Sequence, residues 1–136
     1  MTVFDPDEVL AVARHLWTRN DEASNRSAVS RAYYGVFLRA RDLAGISQRH
    51  PKAHQWTREH YEREGELEFA KRLGTLRRSR NHADYSTERH ITRKEAEAAM
   101  NLSQQVRAEL RVLAGRRQYR NSSNVPVEKS DPVNPP

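Results

Sequence analysis

The stretch Val29–Gly45, VSRAYYGVFLRARDLAG, decides the fold. Val29, Ala32, Tyr33, Val36, Phe37, Ala40 and Leu43 recur at the three-and-four step of one helix face, not at the alternate positions of a strand. Gly45 then stands where a helix stops, because a residue without Cβ takes the left-handed closing conformation at no steric cost. The segment predicts a helix with one buried face, which needs further elements to cover it.

On the amino-terminal side, DPDEVLAVARHLW (Asp5–Trp17) predicts a first helix. Asp5 caps it, Pro6 suits the first helical position and Glu8 has capping-box spacing. Leu10, Ala13, Leu16 and Trp17 share its apolar face. The polar connection TRNDEASN is short, which makes these two helices an antiparallel hairpin.

On the carboxyl-terminal side, ISQRHPKAH reads as a loop, with Pro51 barring a continuous helix. A shorter helix is expected from Ala53 to Tyr61, anchored by Trp56. EREGELEFAKRLGTLRRSRNHA reads as a fourth helix. Glu64, Glu66 and Glu68 lie at its front and Lys71, Arg72, Arg77, Arg78 and Arg80 at its back, which complements the helix dipole. DYSTERHI is the next loop. Thr92 and Glu95 of TRKE form a capping box that opens a last helix, through Ala96, Ala99, Leu102, Val106, Leu110 and Leu113 to Gly115.

The fold class expected is therefore all-α, an up-and-down bundle of about four to five helices, over residues 1–115. Residues 116–136, RRQYRNSSNVPVEKSDPVNPP, carry four prolines and no apolar period, and are expected to form a disordered, basic, proline-rich tail.

Composition narrows the function. The chain has 136 residues, enough for one core. Apolar residues make up 36% and charged residues 31%, a lean core that gains by association. A formal net charge of +6 favours a polyanionic partner such as RNA, DNA or a nucleotide. The absence of cysteine excludes disulfides, thiolate zinc sites and a cysteine nucleophile. No apolar run approaches ~18 residues and the amino terminus is acidic, so a soluble, cytoplasmic protein without a membrane partner is expected. His15, His50, His54, His60, His82 and His90 are scattered, with no HExxH, and predict no metal site. No GxGxxG, Walker loop or GxSxG is present, and no cofactor is expected.

The densest chemistry lies in LRRSRNHADY, Leu76–Tyr85. At 100° per residue, Phe69, Leu73 and Leu76 share an arc of roughly 60°, and Arg80 falls inside it. Arg77 and Asp84 lie beside that arc, and His82 lies away from it. An arginine on a buried stripe must be paired or line a cavity. It can clamp the helix end against Asp84, or it can line a polar groove with Asn81, Asp84 and Tyr85, where its planar fork suits a phosphate. On the second helix, Tyr34 and Leu38 lie one step from the core face, beside Ser27, Ser30 and Arg31. That edge reads equally as a dimer seam, a base-stacking surface or a wide core arc.

Two motifs together carry a resemblance. NRSAVSRAYYGVFLRARDL (Asn25–Leu43), with its RxYYxxF pattern, followed by LRRSRNHADY with its RNxADY end, resembles small bacterial members of the HEPN superfamily. The resemblance covers Asp5 to Gly115. It implies a HEPN-like bundle, a homodimer, and service in toxin–antitoxin, phage-defence or RNA-processing systems, beside a nucleotidyltransferase or antitoxin partner.

Many such proteins are metal-independent endoribonucleases, in which the RNA 2′-hydroxyl attacks the adjacent phosphate. Carried over, Arg80 matches the motif arginine and Asn81 its polar neighbour, while the histidine position carries Tyr85. A second register pairs Arg77 with His82. The candidate catalytic residues are thus Arg80, Asn81, Tyr85 and His82, and the candidate substrate-binding residues Arg77, Arg31, Tyr34 and Asp84. A phenol keeps its proton at neutral pH, so Tyr85 moves protons poorly. An RNA- or nucleotide-binding protein, a ribonuclease, a non-catalytic dimeric partner of a nucleotidyltransferase and a structural dimerisation bundle all remain open.

Overall fold

The computed structural model describes residues 4–47 and 49–130, with side chains as far as Asn121. It holds five helices and no strand among the described residues: α1 (Asp7–Trp17), α2 (Glu22–Ala44), α3 (Ala53–Arg63), α4 (Leu67–Tyr85) and α5 (Arg93–Ser130). None of them is long and apolar enough to cross a membrane.

α2 is the central helix and packs against the other four. Its start is fixed by Asp21, whose carboxylate accepts from the Ser24 backbone N–H at 2.8 Å. Its end is fixed by Gly45 at φ 73°, where Ile46 N–H returns to the Arg41 carbonyl. One buried face was expected; burial runs further round, because α1 crosses the opposite side. A Cβ on Gly35 would come within 3.4 Å of the Pro6 carbonyl oxygen. Glycine there lets the two backbones approach.

Residue pairings give the directions. Gly35 meets Pro6, so α1 runs antiparallel to α2 across the tight connection 18–21. Tyr34 meets Arg80 and Ser30 meets Asp84, so α4 is also antiparallel to α2. Ser103 Oγ donates to the Ala32 carbonyl at 2.6 Å and Arg93 meets Asn20, so α5 runs parallel to α2. Helices α1, α2, α4 and α5 therefore alternate as expected.

The short α3 breaks the alternation. His54 pairs with Tyr33 and the Tyr61 hydroxyl donates to the Ala40 carbonyl at 2.7 Å, so α3 runs in the same direction as α2. The loop 45–52 carries the chain back down before α3 rises again. Trp56 is not its anchor: it is 42% exposed and stacks on His50. Ala53, Thr57 and Tyr61, spaced four apart, form the buried stripe, and Trp56 lies one helical step off it.

Two further boundaries differ from the sequence reading. α4 begins after Gly65, which sits outside the helix at φ 81°. α5 opens on the expected box, with Thr92 Oγ1 accepting from Glu95 N–H at 3.1 Å and Glu95 accepting from Thr92 N–H at 3.0 Å. It does not stop at Gly115 but continues to Ser130. Its last apolar anchors are Leu110 and Leu113; beyond them Arg116 reaches Glu66 and Arg117 reaches the Leu43 carbonyl. Gly115 makes no close approach and imposes no turn. The expected disordered tail also includes residues 131–136, which lie outside the described residues.

Candidate phosphate-binding site

The α2–α4 pair builds the site. Phe69, Leu73 and Leu76 are 3% exposed or less, so α4 is held rigidly up to its last turns. Arg80 continues that stripe, with only 12% of its side chain exposed. Its Nη2 donates to the Tyr34 hydroxyl at 2.6 Å and its Nη1 to the Asn81 side-chain oxygen at 3.1 Å. Its Nε stands 3.0 Å from Asp84 Oδ2, a close ion pair without the alignment of a hydrogen bond. The guanidinium lies over the Tyr34 ring, 4.9 Å from its centre.

Arg80 is clamped to Asp84 and also borders a recess, whose lining includes Asp84 but not Asn81 or Tyr85. Ser27, Ser30, Arg31, Tyr34, Arg80 and Asp84 surround one polar surface recess. Ser30 Oγ donates to Asp84 Oδ2 at 3.1 Å and so shares the carboxylate with Arg80. Arg31 is exposed and makes no ion pair among the described residues. Tyr85 stands at the rim, 71% exposed, with its ring 5.9 Å from the Arg80 guanidinium. The recess can offer a planar cation, a free cation and hydroxyl groups to an anion of phosphate size.

His82 is elsewhere. It points into a separate cleft between α4 and α5, beside Leu76, Ile91 and Leu102, and its Nδ1 meets Ser86 Oγ at 3.3 Å. Tyr34 and Leu38, read as an exposed edge, are only half-buried and pack on the core, which is the wide-arc alternative. Arg77 Nε is buried without a hydrogen-bond partner.

Two groups were not singled out from the sequence. The first is His54, in the opening turn of α3. Its ring stacks on Phe37 at 4.1 Å between centres and stands edge-on to Tyr34, and its Nδ1 shares a 2.6 Å hydrogen bond with the Tyr33 hydroxyl. Burial, with the positive charges of Arg77, Arg80 and Arg41, lowers its pKa to about 4, so it is neutral at pH 7. Burial raises the Tyr33 phenol pKa well above its usual value. No spacing rule links Tyr33 to His54, because the loop between them reverses the chain.

The second is Arg26. It donates to the carbonyls of Ala83 (2.9 Å), Ser86 (3.0 Å) and Arg89, closing the carboxyl end of α4. Glu22 holds Arg26 at 3.1 Å and also accepts from Ile91 N–H and His90. The Ile91 amide, followed by His90 and Arg26, lowers the Glu22 pKa to about 2. The i, i+4 spacing of Glu22 and Arg26 was a legible signal; the carbonyls they serve were not. Among the described residues no cluster of three or more His, Asp or Glu side chains is arranged to hold a metal ion.

Comparison of the chain with protein-family models, with curated proteins and with solved structures finds no significant match.

Proposed function

We propose that the protein is a HEPN-like helical module that binds RNA or a nucleotide through a phosphate seated at the Arg80 recess. The observation that carries this reading is the setting of Arg80: a guanidinium held almost out of water against Tyr34, beside the unpaired Arg31, at the mouth of a polar recess. Pre-placed charge of this kind costs little to organise when an anion arrives. The net charge of +6 supports a polyanionic ligand. The RxYYxxF and RNxADY motifs supply Tyr34 and Arg80 themselves, and point to a homodimer in a toxin–antitoxin, phage-defence or RNA-processing setting, with an antitoxin or nucleotidyltransferase as partner.

The test is binding of labelled single-stranded RNA at two salt concentrations. Affinity should fall as salt rises. Arg80→Ala should abolish binding, while Arg78→Ala, on another face of α4, should retain most of it. Equal RNA affinity in wild type and Arg80→Ala would refute the reading. A second reading, a purely structural dimerisation bundle, is favoured by one fact: Asp84 and Tyr34 satisfy much of Arg80 within one chain. It requires Arg80→Ala to lower stability and leave binding untouched.

A further inference from the structure

Asp84 is a carboxylate in a place that a bare anion would avoid. It lines the recess with Ser27, Ser30, Arg31, Tyr34 and Arg80. Its Oδ2 accepts from Ser30 Oγ at 3.1 Å and stands 3.0 Å from Arg80 Nε. Its other oxygen, Oδ1, makes no hydrogen bond among the described residues, and the side chain is 27% exposed. An ionised carboxylate can only accept, so a ligand group that meets Oδ1 must donate.

The rest of the lining offers donors. Arg31 is exposed and makes no hydrogen bond or ion pair among the described residues. Arg80 gives one N–H to Tyr34 and one to Asn81, and its Nε faces Asp84. That leaves one hydrogen on each Nη. The Tyr34 hydroxyl accepts from Arg80 and keeps its own hydrogen for another acceptor. Two guanidiniums against one carboxylate leave the recess positive. It is therefore built for an anion with a donor beside it, not for an anion alone.

Size and lining narrow the ligand further. The recess encloses about 440 Å³, room for a sugar joined to a phosphate. Its lining presents no open aromatic face to a base: the Tyr34 ring is taken up by Arg80, Tyr33, Phe37 and His54. We propose that Asp84 makes the Arg80 recess selective for ribose, its Oδ1 accepting from the 2′-hydroxyl of a nucleotide whose phosphate lies against Arg31 and Arg80. This rests on the reading of the recess as a phosphate site. The contacts go to sugar and phosphate, so they carry no base sequence preference.

The chemistry of a strand singles out the 2′ position. Inside a chain the 3′ and 5′ oxygens are esterified, and the 2′-hydroxyl is the only donor left on the sugar. A deoxyribose strand brings its phosphate charge near Asp84 with no donor between them, and like charges repel. Selectivity then comes as much from the unmet acceptor as from the bond made. A carboxylate that served only to clamp Arg80 would instead change affinity for every strand alike.

The experiment measures binding of three single strands of one sequence to the full chain at fixed salt: RNA, its 2′-fluoro form and DNA. The 2′-fluoro strand keeps the RNA-like sugar pucker and removes the donor. Wild type should bind RNA about 10-fold or more tighter than either of the others, a readout that needs no variant to fold. In Asp84→Asn the 2′-fluoro strand should gain affinity, and the ratio of RNA to 2′-fluoro affinity should fall toward one. Equal affinity of wild type for RNA and the 2′-fluoro strand, or a ratio unchanged in Asp84→Asn, would overturn the proposal while leaving the phosphate reading intact. Failure of wild type to bind RNA, or equal RNA affinity in Arg80→Ala, would overturn both.

Discussion

Arg80 Nη2 donates to the Tyr34 hydroxyl at 2.6 Å and so ties the last turns of α4 to the middle of α2. Asp84 faces the adjoining Nε of the same guanidinium edge, and the recess beside the pair is lined by Arg31 and Ser30. Tyr34→Phe deletes the acceptor and keeps the ring. It should cost about 1 kcal/mol of stability, the worth of one hydrogen bond, and should weaken RNA binding less than Arg80→Ala. The two variants are to be compared by urea melts and RNA titration. A large stability loss in Arg80→Ala with unchanged affinity would make Arg80 a clamp alone.

Arg26 should matter more to the fold than its position suggests. It satisfies carbonyls of Ala83, Ser86 and Arg89, and no other side chain reaches them among the described residues. Arg26→Ala should destabilise the protein by about 2 kcal/mol, in the range for lost hydrogen bonds to a charged group. It should also speed amide exchange at the end of α4. Arg26→Lys should not restore it, because an ammonium cannot fork to several carbonyls as a guanidinium does. Unchanged exchange over residues 82–89 would count against this role.

Stability should fall in mild acid because of His54. Its folded pKa, about 4, lies below the ordinary histidine value of 6.5. The unfolded chain therefore binds the proton first, and stability present above 6.5 is lost as pH drops toward 4. Melting temperatures taken across that window should decline, and the decline should be shallower in His54→Gln. Parallel curves for the two proteins would show that another group titrates.

A homodimer is the assembly that the proposed HEPN-like reading expects. Light scattering at tens of micromolar, well above an affinity of ~1 μM, should report twice the chain mass. A wild-type monomer at that concentration would remove the dimer from the proposal.

His82 and Tyr85 separate the two motif registers. His82 lies in the α4–α5 cleft, so His82→Ala should leave RNA binding and cleavage unchanged. Tyr85→His places an imidazole at the rim near Arg80 and should create or raise cleavage, by supplying the proton carrier that the phenol does not. Cleavage abolished in His82→Ala would instead make Arg77 and His82 the working pair.

The sequence was enough for the helices and their caps, since these are local. The three-and-four spacing of Val29 to Leu43 and the left-handed turn at Gly45 appear in the structure as read. So does the Thr92–Glu95 box. The same rule of 100° per residue placed Arg80 on the Leu73–Leu76 stripe and turned His82 away from it. The rule did not extend to Trp56, where the apolar residue was mistaken for the buried one, nor to Gly115, where composition suggested a stop that backbone geometry does not require.

The sequence by itself determined that this protein is a helical bundle with an arginine aimed along a buried face. Helix periodicity and capping depend on neighbours within a turn or two, and these are written in order along the chain. Only the tertiary structure decided that α3 runs with α2 rather than against it, that His54 therefore lands beside Tyr33 and Tyr34, and that Arg26 closes the far end of α4. Those outcomes depend on how a connecting loop folds back and on which carbonyls a neighbouring helix leaves open. Such contacts join residues far apart in sequence, and no local spacing encodes them.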